Sequence, residues 1–165
     1  MYGVVCAAGS DIFQVVDSDT DAMTSVNVSC MELYNEEVRD LLTKSDSSPT
    51  IQEDKHGNVN ISNMTERKVS NLGELMAVLR AGENNRTVGK TSMNERSSRS
   101  HTIFRITVEK KTTHGAGDKE NNGKTKKVVT TRSTLNLVDL AGSESVRLTN
   151  ASGTRQKEGG KINQR

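Results

Sequence analysis

The sequence predicts an α/β fold in which helices pack on a central sheet. Three observations carry this expectation. Residues 71–80 place Leu72, Leu75, Met76 and Leu79 at i, i+3, i+4 and i+7, one apolar stripe along a helix. Residues 102–111 alternate as a strand, with Phe104, Ile106 and Val108 facing one way. Residues 128–140 read as a long strand whose end, LNLVDL, is apolar on both faces except for Asn136 and Asp139. That pattern predicts a central strand covered on both sides.

The remaining elements follow in order. Residues 11–23 carry Ile12, Phe13, Val15 and Val16 and read as the last turns of a helix. Residues 26–34 (VNVSCMELY) alternate as a strand, with Val26, Val28, Cys30 and Glu32 on one side and Met31 and Leu33 on the other. Residues 36–42 are expected to form a short helix with Val38, Leu41 and Leu42 on one face. A polar break at 45–49 precedes a hairpin over 51–61 that turns at His56-Gly57-Asn58. Asn71 followed by Glu74 resembles a capping box for the helix over 71–80, and Gly82 is the expected stop. The Gly-rich, charged stretch 114–127 is expected to be an exposed loop. There is no internal repeat.

Composition narrows the class. The chain has 165 residues, 32% of them hydrophobic and 2% aromatic, with no Trp. So little apolar surface is a weak offset to the entropy of ordering a backbone, and part of the core is expected to lie outside this sequence. The net charge of +2 predicts no partner by itself. Its distribution is more informative, because Arg147, Arg155, Lys157, Lys161 and Arg165 face one acid, Glu158, a basic end suited to an acidic partner or simply a solvated one. Cys6 and Cys30 lack metal-ligand spacing and make no disulfide framework, which points to a reducing compartment. No run is long enough to cross a membrane, and residues 1–13 lack the basic start of a signal peptide. The expected location is the cytosol or a structure within it.

Two segments carry chemistry. In LNLVDLAGSE, residues 135–144, a buried strand ends in Asp139 and Gly142 follows closely. A carboxylate at a strand's C-terminal edge can hold Mg²⁺ through water, and a glycine N–H can approach a terminal phosphate. In NERSSRSH, residues 94–101, serine hydroxyls directly precede a strand and can bind Mg²⁺ or phosphate oxygens, while Arg99 can pair with a carboxylate. Taken singly, the first is also a strand followed by a turn, and the second a polar turn or a phosphorylation site.

Together and in this order, NERSSRSHTIFRITVE and STLNLVDLAGSES resemble switch I and switch II of the kinesin family. VSCMELYNEEVRDLL, GENNRTVGKTSMN and KEGGKIN also resemble kinesin segments in register, and the wording MNERSSRSHTIF leans toward the centromere-protein-E-like branch. The resemblance implies a kinesin-type P-loop NTPase fold with a mixed central sheet and flanking helices. It implies that Asn94, Ser97, Ser98, Ser100, Asp139 and Gly142 meet the nucleotide. Ser98 would stand near Mg²⁺ and Asp139 would hold it through water. Gly142 would sense the γ-phosphate, and Arg99 and Glu144 would close a catalytic salt bridge between the switches. Arg147, Lys157 and Lys161 would contact the microtubule. The implied cofactors are ATP and Mg²⁺, and the implied partner is tubulin, with no nucleic acid or membrane. The implied location is the microtubule cytoskeleton, including the spindle or kinetochore. Oligomeric state would be set by a coiled coil outside this sequence. Ser145 departs from the family's common Arg after DLAGSE.

The resemblance also marks what these residues do not contain. Gly89-Lys90-Thr91 imitates the end of a phosphate loop, but the required glycine five positions earlier is Asn84, and the tripeptide follows a helix instead of opening one. Residues 1–165 are therefore expected to be a partial motor domain, with the phosphate loop upstream and the later helices downstream. Two alternatives stand beside that reading. One is a truncated, inactive microtubule-binding module. The other is a GTPase-type switch, which lacks support because no Asn-Lys-x-Asp segment occurs.

Overall fold

The structure, a computed structural model, describes residues 1–19, 22–43, 49–55, 57, 59–88, 100–115 and 126–141. Helix α1 (Tyr2–Ser18) opens the chain and β1 (Ala22–Tyr34) follows. The hairpin partner β2 (Glu37–Asp40), the small hairpin β3 (Thr50–Glu53) and β4 (Val59–Ser62), and β5 (Arg67–Val69) come next. Helix α2 (Leu72–Val88) then leads to the long strands β6 (His101–Gly115) and β7 (Lys126–Asp139). The main sheet runs β2-β1-β6-β7, with β5 also pairing β1, and each of these pairings is antiparallel.

One face of that sheet carries the core. Val28 and Cys30 of β1 stand opposite Ile106 and Phe104 of β6, and all four are buried. Both helices pack there: Val5 and Phe13 of α1 and Leu75 and Leu79 of α2 belong to the same cluster as these strand residues. In α1 the buried positions Val5, Gly9 and Phe13 repeat every four residues, so one face of the helix meets the core. Burying side chains of this size contributes about 1.5–3 kcal/mol each, so α2, whose Leu75 and Leu79 are fully buried, is the principal cover of the sheet.

Three expectations are corrected. Residues 36–42 are not a helix. Asn35 and Glu36 both take positive φ, 51° and 69°, and make the two-residue turn that pairs Tyr34 with Glu37 and starts β2. Asp40 then holds two amides with its buried carboxylate, accepting from Leu42 N at 2.8 Å and Thr65 N at 2.6 Å.

Gly82 does not stop α2, which continues to Val88. A Cβ at Gly82 would lie 2.8 Å from Cys30 Sγ, so the glycine is there to let the helix backbone settle on β1.

Nor, among the described residues, is β7 a covered central strand. Among the described residues its only sheet neighbour is β6, and Leu135, Val138 and Leu140 are exposed. The central position belongs to β6, which pairs β1 on one side and β7 on the other. Continuous apolar character alone did not separate a central strand from an edge strand with uncovered apolar residues.

The helix start was legible. Asn71 Oδ1 accepts Glu74 N at 2.9 Å, and Glu74 Oε2 accepts Ser70 N at 2.8 Å, a capping box shifted back by one residue. The hairpin expected over 51–61 is β3–β4, with Ile51 opposite Ile61. Cys6 is exposed and Cys30 buried, and both are free thiols. No described helix is long and apolar enough to cross a membrane.

Candidate functional site

The site is built where β6 begins and β7 ends. Antiparallel pairing brings these two ends together, so Thr102 stands opposite Asp139 in the last register pair of the ladder, with Glu32 of β1 opposite Thr102 on the other side. Strand alternation places Glu32, Thr102 and Asp139 on the helix-bearing face, in line with Cys30, Phe104 and Leu137 two residues along. The sheet thus carries a polar row at one end of an otherwise apolar face. The end of α2 lies over that row.

Arg86 occupies the last turn of α2 and is 7% exposed. Its Nη2 donates to Ser100 O at 3.0 Å and to Ser100 Oγ at 3.3 Å, and its Nε donates to the same hydroxyl at 3.4 Å. Nη1 lies 3.6 Å from Asp139 Oδ2. A buried guanidinium is costly unless its donors are used, and its planar fork can serve two acceptors at once. Here it joins the residue before β6 to the carboxylate at the end of β7. The ion pair is the looser arm, because the Asp139 side chain is 48% exposed.

Two further contacts brace the row. His101 Nδ1 accepts the amide of Ala141 at 3.0 Å. Asn85 Nδ2, one residue before Arg86, donates to Leu41 O at 2.7 Å and fixes α2 against the chain leaving β2. Beneath Gly82, the Cys30 thiol is pushed up to about 12, first by burial and then by the negative charges of Glu83 and Asp40, with Arg86 acting in the opposite direction. This thiol is an inert core group.

Of the residues that the sequence singled out, Ser100 and Asp139 are described, and Arg86 brings them together. Ser100 is fully buried, with its hydroxyl on Arg86. Asn94, Ser97, Ser98, Arg99, Gly142, Glu144, Arg147, Lys157 and Lys161 lie outside the described residues. Sequence reasoning missed Arg86, although a signal existed. The stripe Leu72, Leu75, Leu79 continues through Gly82 to position 86, so a helix not ended at Gly82 carries an arginine on its buried face.

The helix-covered sheet is a kinesin-type α/β fold. A family model described as the kinesin motor domain matches residues 1–165, and the chain belongs to that family, with its α/β fold. It is 41% identical over 161 residues to kinesin-like protein KIN-7L of Oryza sativa subsp. japonica, which covers 98% of this chain and 24% of that protein. It is 42% identical over 163 residues to centromere-associated protein E of Homo sapiens, covering 98% of this chain and 6% of that protein. A solved structure described as that of a fast kinesin, with implications for ATPase mechanism and interactions with microtubules, superposes with a TM-score of 0.74 at 37% identity. That match covers 96% of this chain and 42% of the other. The chain therefore spans less than half the length of these relatives.

Proposed function

We propose that these residues are the switch-bearing part of a microtubule-based motor that couples ATP hydrolysis to movement. The observation that carries the reading is the meeting of Ser100 and Asp139 on one buried arginine, in a chain of the kinesin motor-domain family. The serine segment ends and the aspartate strand stops at the same end of the sheet. A change at one is therefore felt at the other through Arg86.

The donors present fit magnesium. Mg²⁺ prefers hard oxygen ligands and retains several waters, so one half-exposed carboxylate is a sufficient protein anchor. Asp139 would supply that carboxylate, and Ser98, two residues before Ser100 in the sequence, a hydroxyl. When bound with ATP, the ion would neutralise charge on the phosphates. Asn94, Ser97 and Ser98 would approach the nucleotide, Ser100 would act through Arg86, and Gly142 would sense the terminal phosphate. Arg99 and Glu144 would join the two segments in the hydrolysis-competent state. Because phosphoryl transfer rests on positioning and charge neutralisation, and residues 1–165 contain no G-x-x-x-x-G-K-[ST] loop, these residues alone support no ATP turnover.

Tubulin is the proposed partner, met by Arg147, Lys157 and Lys161, and the proposed location is the microtubule cytoskeleton. Co-sedimentation tests this directly. The 165-residue chain should pellet with microtubules and not without them, and reversing the charge at the three basic positions should abolish the difference. A wild-type chain that stays in the supernatant, or a charge-reversed variant that pellets equally, rejects the reading. Microtubule-stimulated ATP turnover by the 165-residue chain would overturn the statement on hydrolysis.

A further inference from the structure

We propose that His101 is a positioning residue for the strand end: its ring holds the Ala141 amide and so fixes the chain where it leaves β7. The register pairs of β6 and β7 run to Thr102 opposite Asp139. One residue beyond, the cross-strand bond comes from a side chain, with His101 Nδ1 accepting Ala141 N at 3.0 Å. The imidazole extends the sheet's grip by two residues past Asp139.

The chemistry of the contact is specific. An amide N–H can only donate, so Nδ1 must be without a proton, and the ring's hydrogen is on Nε2. Ala141 is 9% exposed, so water is a poor substitute for the ring nitrogen. Asp139 is held on its other side by the longer 3.6 Å contact to Arg86. The strand end is therefore fixed from two elements, α2 through Arg86 and β6 through His101, and the His101 contact is the shorter. Its purpose rests on the function proposed above, because Gly142 follows Ala141 directly. The contact itself does not depend on that function.

Hydrogen exchange on the 165-residue chain tests the role without nucleotide or microtubules, so its outcome is independent of co-sedimentation. His101→Asn keeps an acceptor at the δ position, whereas His101→Gln moves it one bond outward. The Ala141 amide should be protected in the wild type and in His101→Asn. It should exchange at least about tenfold faster in His101→Gln, with β1 amides unchanged. An Ala141 amide that exchanges at the free-peptide rate in the wild type overturns the proposal. So does a His101→Asn variant that behaves like His101→Gln, whether both are protected or both are not. If His101→Gln also loosens β1, the Asn variant decides: wild-type protection at Ala141 supports the role, and loss of protection overturns it.

Discussion

Gly82 shows how a single residue sets the geometry of the site. Its missing Cβ lets α2 lie on Cys30, and this closeness carries the helix onward to deliver Asn85 and Arg86. Gly82→Ala would gain about 1 kcal/mol in helix propensity. It would also force a methyl to 2.8 Å from Cys30 Sγ and 3.2 Å from Cys30 Cβ, overpacking that costs about 1–3 kcal/mol. The expected outcome is net destabilisation in a denaturant melt, partly relieved when Cys30→Ala is added, so that the pair is less than additive. The two thiols should also separate chemically. Exposed Cys6 should alkylate near pH 8 in the native chain, while Cys30 reacts only after unfolding, as peptide mass spectrometry would read. The Cys30 pKa is raised from 9.0 to about 12, so the folded state holds its proton more tightly than the unfolded state. Its contribution to stability is complete below about pH 9 and is lost as pH rises toward about 12.

At the scale of elements, α2 was the most legible and β2 the least. The apolar stripe and the Asn71–Glu74 pair are local features, and both appear where periodicity placed them. Asn71→Ala removes the acceptor for Glu74 N and should cost about 1 kcal/mol, measurable as a lower denaturation midpoint with unchanged slope. The stretch after Tyr34 misled because Val38, Leu41 and Leu42 fit a helical face, and the turn's second residue is Glu36, not the glycine that usually announces such a turn. The pairing of β2 with β1 outweighed local preference. Arg86 was hidden by the same kind of error: a glycine read as a terminator ended the helix before it reached Arg86.

At the scale of the whole molecule, β7 is the feature with the largest consequence. The strand presents a long edge with Val128 at 59% and Val138 at 52% exposed, followed by Leu140 at 63%, and no strand covers that edge among the described residues. Unpaired, apolar edges recruit other strands. The 165-residue chain should therefore associate in a concentration-dependent manner at micromolar concentrations, seen by sedimentation velocity. Val138→Lys, which places a charge on the face opposite the helices, should shift it toward monomer. A monomeric wild type, or a lysine variant that associates equally, would contradict this.

By itself the sequence determined the long strands, the register of the α2 stripe and the helix cap, because each is written in neighbours a few residues apart. Only the tertiary structure decided that, among the described residues, β6 is central and β7 an edge, that Gly82 serves packing, and that Arg86 joins Ser100 to Asp139. Those facts depend on residues 14 to 53 positions apart meeting through sheet register. Burial and strand order belong to the packed chain as a whole, and no local pattern encodes them.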